Sequence, residues 1–175
     1  RKTYFYYYIY LDFTLGNMSY ITHTGYGYSK KHCEDIASWF LNTFFPRHLI
    51  DIHVVHRGLK REDSYGWCDV TGRKSRPRDF QIEMQSNMNR ELYTKTLLHE
   101  LTHVGQWVKG TLRLKSGKMY FNDEKVDHTD YHSQPHEIEA FAQEVILYRR
   151  YMKEKFDVTV KQPTQHFPNR LLAAV

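Results

Sequence analysis

A chain of 175 residues, 41% hydrophobic and 26% charged, is long enough to bury one core and leaves little room for a second domain. Its formal charge of +5 and isoelectric point near 9.1 admit an acidic partner or nucleic acid but fall short of a dedicated DNA binder. No run approaches the roughly 18 consecutive apolar residues of a membrane helix, so no membrane partner is expected.

The chain opens on RKTYFYYYIYL, which has a basic start but a tyrosine body and no small-residue cleavage site. It reads as a strand or a packed aromatic tail rather than a signal peptide. Residues 1–28 show only weak patterns and are expected to extend a core of about 29–155. Residues 29–45, SKKHCEDIASWFLNTFF, set Cys33, Ile36, Phe40 and Phe44 at helical spacing, with Ser29 as N-cap and Pro46 as the stop. LIDIHVV alternates Ile50, Ile52 and Val54 with Asp51 and His53, and DFQIEMQ alternates Phe80, Ile82 and Met84 with Gln81, Glu83 and Gln85. Both predict half-buried strands. YGWCDV, residues 65–70, is a shorter strand candidate between the polar KREDS and the basic TGRKSRPRD. A helix over about 89–108 follows, then a loop of some 25 residues, then a last helix from about Pro135 to Lys155, where proline suits the first turn. Residues 156–175 read as a second extension. Cys33 and Cys68 stand far apart without a C-x-x-C pair, so a reducing compartment is expected: the protein should be soluble and cytoplasmic.

The chemistry lies in HELTH, residues 99–103. Histidines four apart on a helix project from one face, about 5–6 Å apart at Cβ, close enough for both imidazoles to reach one ion. Zinc held this way needs a third protein ligand and an open position, and a glutamate beside the first histidine lies where it can take a proton from water. His99 and His103 are therefore the candidate ligands and Glu100 the candidate general base. The helix period gathers Tyr93, Leu97, Leu101, Val104 and Val108 into a core stripe away from His99 and His103, leaving a separate face for chemistry.

The third ligand has several candidates. Gln106 and Lys109 stand where H-E-x-x-H-x-x-G-x-x-H would have glycine and histidine, which excludes that class. PHEIEAFAQE offers Glu137, Glu139 and Glu144. With Ile138, Phe141, Ala142, Val145 and Met152 as the buried stripe, Glu137 lies about 75° from its centre, at the core edge, and Glu139 faces solvent. His128, His132 and His136 in DHTDYHSQPHE are rival ligands. Glu144, nearly two turns beyond Glu137, suits a hydrogen bond to a ligand imidazole or a plain exposed position.

HELTHVGQW followed by PHEIEAFAQE resembles the gluzincin branch of zinc metallopeptidases, in which the H-E-x-x-H helix is completed by a glutamate on the next helix. The run is similar to the ImmA/IrrE and anthrax lethal factor types, and the combination is most similar to small phage-encoded, SprT-like metallopeptidases. The resemblance covers about residues 90–150. It implies Glu137 as third ligand, one Zn2+ per chain, a protein or peptide substrate and, for a phage protein, the host cytoplasm. Spartan-type SprT proteins complete the site with histidine, and the glutamate here departs from them. The implied fold is α+β, a minimal zincin: a helix, a small mixed three- to four-stranded sheet, the H-E-x-x-H helix and a glutamate-bearing C-terminal helix. In such folds an edge strand beside the active helix pairs with an extended substrate, and residues 79–85 are the expected strand. Charge developing on the substrate carbonyl calls for a donor, which Tyr131 or His132 would supply. Trp67 and Trp107 are expected in the core or the cleft wall. The alternatives are a zincin-fold binding module with little turnover, touching a partner or nucleic acid through TGRKSRPRD, and a structural protein in which HELTH is only a helix turn.

Overall fold

The structure, a computed structural model, describes residues 19–126 and 130–160. The opening aromatic run, His128 and the end of the chain lie outside the described residues. The elements in order are β1 (Ile21–Gly25), α1 (Lys30–Phe44), β2 (Asp51–Arg57), β3 (Gly66–Val70), β4 (Asp79–Gln85), α2 (Arg90–Lys109), β5 (Leu112–Lys115), β6 (Lys118–Phe121), β7 (Glu124–Lys125) and α3 (Pro135–Phe156). Short 3-10 turns at Lys60–Glu62 and Tyr131–Ser133 complete them. The architecture is α+β. β1, β2 and β4 run parallel and β3 antiparallel, in the order β1-β2-β4-β3, while β5, β6 and β7 form a small antiparallel sheet.

Local chemistry sets the helix ends. The Ser29 hydroxyl accepts the His32 N–H at the start of α1, and the Asn89 side chain accepts the Leu92 N–H at the start of α2. Gly110 ends α2 at φ 79°, a left-handed conformation that glycine adopts without strain. α1 and α2 pack on the face of the main sheet that carries Ile52, Val54, Phe80, Ile82 and Met84. Leu97, Leu98 and Leu101 of α2 are fully buried among them, each contributing about 1.5–3 kcal/mol by leaving water.

Four expectations need correction. The face of α2 expected to be free for chemistry is covered: every residue from Thr96 to Trp107 is buried, because α3 lies across it. The buried face of α3 is also rotated from the expected one. His136, Glu137, Ala140, Leu147, Tyr148 and Tyr151 are buried, whereas Ile138 is 55% exposed and Ala142 exposed. The first half of α3 turns carboxylates toward α2, so apolar residues misreport which face is inside. Next, residues 110–134 are not a plain loop, since β5 to β7 occupy part of them; their polar, exposed residues carry no alternating signal. Finally, residues 79–85 are an internal strand with both sides paired, to β2 and to β3, so no peptide can add there. Among the described residues β1 and β3 are the edges. β1 itself falls in the region expected to be an extension, and Ile21 is its one large apolar residue. No helix among the described residues is long and apolar enough to cross a membrane.

Candidate metal centre

The facing surfaces of α2 and α3 bring three ligand atoms together. His99 and His103 are one helical turn apart on α2, and Glu137 stands in the first turn of α3. The two Nε2 atoms lie 3.2 Å apart. Glu137 reaches His99 Nε2 with Oε2 at 3.3 Å and His103 Nε2 with Oε1 at 3.4 Å. Four ligands at zinc's usual bond lengths of about 2.0–2.2 Å in a tetrahedron stand about 3.3 Å from one another; here each carboxylate oxygen meets one ring nitrogen at about that spacing, and one ligand atom from each of the three residues lies within 4.8 Å of the others. Glu137 is only 4% exposed, buried rather than at the core edge. Among the described residues these three alone form a group with metal-ligand spacing.

The surrounding hydrogen bonds aim the rings. Gln106 Nε2 donates to the His136 carbonyl and to Glu139 Oε2, each at 2.9 Å, which fixes which end of the amide is oxygen. Its Oε1 faces His103 Nδ1 at 2.8 Å and must accept, so His103 carries its proton on Nδ1 and presents a lone pair on Nε2. On the other ligand, His99 Nδ1 lies 3.3 Å from Glu144 Oε2, an ion-pair distance without good hydrogen-bond alignment. Glu144 thus faces a ligand imidazole, one of its two expected placements.

The lone pair on His103 Nε2 and the Glu137 carboxylate both face His99 Nε2 and favour positive charge there. Burial works against an imidazolium at His99, yet the Glu137 and Glu144 carboxylates push its pKa up to about 10. Burial raises the Glu137 carboxyl, and the His103 and His99 rings outweigh this and hold it well below the usual carboxylate range. A proton on His99 supplies that charge in the metal-free protein.

The remaining candidates line one side of this cluster. Glu100 is 5% exposed and borders a cleft of about 450 Å³ with His99, Tyr65, Gly66, Thr96, Tyr131, His132, Phe141 and Glu144. Burial raises its pKa above the ordinary glutamate value. A Cβ on Gly66 would stand 2.6 Å from Glu100 Oε1, so only glycine leaves the carboxylate its place. Tyr131 is 41% exposed, and burial with the Glu137 and Glu100 charges raises its pKa and keeps the phenol protonated. Its ring meets that of Trp67 at 6.2 Å; Trp67 is exposed and not among the residues that border the cleft, in place of the expected core or cleft-wall position, whereas Trp107 is core. His132 lies on the same 3-10 turn, its ring 5.8 Å from Phe141.

Of the rival ligands, His136 is buried behind the cluster with Nε2 3.5 Å from Glu137 Oε1, and His132 lies in the cleft wall. Glu139 is exposed and holds Gln106 rather than a histidine. Sequence reasoning missed Gln106 and Gly66. The i,i+3 spacing of His103 and Gln106 on one helix face was a usable signal for the first; nothing local pointed to the second. No protein-family model, no curated protein and no solved structure matches the chain.

Proposed function

We propose that the protein is a zinc-dependent peptidase of the minimal zincin type, with His99, His103 and Glu137 holding one zinc ion. The observation that carries this reading is the buried cluster of His99, His103 and Glu137, with ring nitrogens 3.2 Å apart and a carboxylate oxygen 3.3–3.4 Å from each, beside a buried glutamate. Zinc bound there would supply a Lewis acid with an open position toward the cleft, polarising a peptide carbonyl and acidifying a water. Glu100 takes the proton of the attacking water and delivers it to the leaving amine, its burial making it a stronger base than an exposed glutamate. The Tyr131 hydroxyl donates to the oxygen on which charge develops, with His132 a second donor on the same turn. Gln106 holds the His103 ring in the acceptor orientation, and the Glu144 carboxylate faces His99 Nδ1 as a counter-charge. The substrate enters as an extended chain beside β3, the edge strand that borders Glu100 at Gly66.

The test is zinc per chain, by elemental analysis of protein purified without added metal, with peptide hydrolysis measured on the same preparations. Near-stoichiometric zinc is expected in wild type, lost in His103→Ala, weakened in Glu137→Ala and kept in Glu139→Ala. Glu100→Gln should keep zinc and lose hydrolysis. Wild-type protein that takes up no zinc at neutral pH overturns the proposal.

A further inference from the structure

The pairing of β3 with β4 decides which backbone groups of this edge strand face outward. The Tyr65 carbonyl accepts from the Gln85 N–H at 2.9 Å, and the Thr71 N–H donates to the Asp79 carbonyl at 3.1 Å. With Trp67 opposite Glu83 and Asp69 opposite Gln81, residues 65, 67, 69 and 71 bond inward, since antiparallel pairs alternate. Gly66, Cys68 and Val70 therefore direct their N–H and C=O groups to the open side. At Gly66 both are engaged by Ser64, whose hydroxyl donates to the carbonyl at 2.8 Å and accepts the N–H at 3.3 Å. Among the described residues the first open rungs are Cys68 and Val70, and they lead away from the cleft.

They lead to TGRKSRPR, residues 71–78. Arg73, Lys74 and Arg76 are exposed there, and among the described residues none of the three is ion-paired. Arg78 is half-buried and donates to the Pro77 carbonyl at 2.7 Å. The nearby acids are Asp69, exposed on the strand, Asp79, whose carboxylate lies against Gly72, and Asp51, exposed opposite Asp79 on β2, three against the four cations Arg73, Lys74, Arg76 and Arg78. Positive charge prevails at this end of β3. We propose that the substrate is acidic: an extended segment pairs with Cys68 and Val70 and sets Asp or Glu side chains against Arg73, Lys74 and Arg76. At about 3.4 Å per residue, these acids fall about five to eight residues from the bond presented to Glu100. The proposal rests on the peptidase reading for its meaning, but binding tests it without turnover.

The probe is a fluorescein-labelled Glu-Thr repeat peptide, with Gln-Thr and Lys-Thr repeats as controls, followed by fluorescence anisotropy at low salt in a Glu100→Gln background. The Glu-Thr peptide binds more tightly than either control. Combined Arg73→Glu, Lys74→Glu and Arg76→Glu substitutions weaken it by about tenfold or more, from three exposed charge contacts. Val70→Pro weakens it by about three- to tenfold, since it removes an outward N–H and no β4 rung. Unchanged affinity in the charge-reversal variant overturns the proposal. So does a thymidine oligonucleotide that binds as tightly as the Glu-Thr peptide while Val70→Pro affects neither, which would describe a general polyanion surface. Zinc content of the same samples separates failure of this site from failure of the peptidase reading.

Discussion

Gln106 makes three hydrogen bonds from one buried amide, and its replacement separates orientation of a ligand from packing of two helices. In Gln106→Ala the His103 Nδ1–H loses its acceptor in a buried position, costing about 1–3 kcal/mol, and the His136 carbonyl loses a donor at about 1 kcal/mol more. Glu139 is exposed and turns to water at little cost. The metal-free protein should thus lose about 2–4 kcal/mol in urea unfolding. His103 is then free to change tautomer, and zinc affinity, measured by chelator competition, should fall about 10- to 100-fold. Gln106→Glu tells the two effects apart. Its carboxylate still accepts from His103 Nδ1, so affinity stays within a few-fold of wild type, but it stands against Glu139 and the His136 carbonyl where N–H groups stood, so stability falls. A folded Gln106→Ala that binds zinc within about threefold of wild type would refute the reasoning.

Three further outcomes are expected. Gly66→Ala should displace the Glu100 carboxylate and lower kcat by about 100-fold or more while zinc content, read by elemental analysis, is unchanged. Tyr131→Phe should lower kcat by about 10- to 100-fold with little change in KM, as befits a donor used only as charge develops; an equal rise in KM would instead assign it to substrate binding. Zinc uptake must displace the His99 proton. In metal-free protein the raised pKa contributes stability that is fully present below about 6.5 and is lost as pH rises through about 10. Apparent zinc affinity has the opposite slope, gaining about tenfold per pH unit across the neutral range, and a pH-independent affinity in buffered-metal titrations would contradict it.

The sequence was most legible where one physical signal dominated. The α1 stripe and the alternation in β2 and β4 report burial against a single core, and they mark real elements. The pair His99 and His103 with Glu100 follows from helix geometry alone, and the structure brings Glu137 to them. Legibility failed where burial is polar. The inner face of α3 carries Glu137 and His136 while Ile138 faces out, so hydropathy pointed to the wrong side. It failed also where strands are short and exposed, as in β5 to β7, and where pairing order matters. Residues 79–85 read as a strand next to α2, but only the register shows that β3 takes the edge. Gly66 was illegible because its reason is an atom of Glu100, distant in sequence.

His99 and Glu137 are 38 residues apart in the chain, and the whole small sheet of β5 to β7 lies between them. An ion gripping both ends would act as a crosslink closing a loop of that length, worth about 4 kcal/mol against the denatured chain by the estimate used for disulfides. Between the end of α2 and the start of α3 that segment holds little core of its own, with Leu112, Phe121 and Val126 the buried apolar residues among those described. Its resistance to proteolysis should therefore follow metal content, so that chelation exposes the chain between α2 and α3 to cleavage before the main sheet opens.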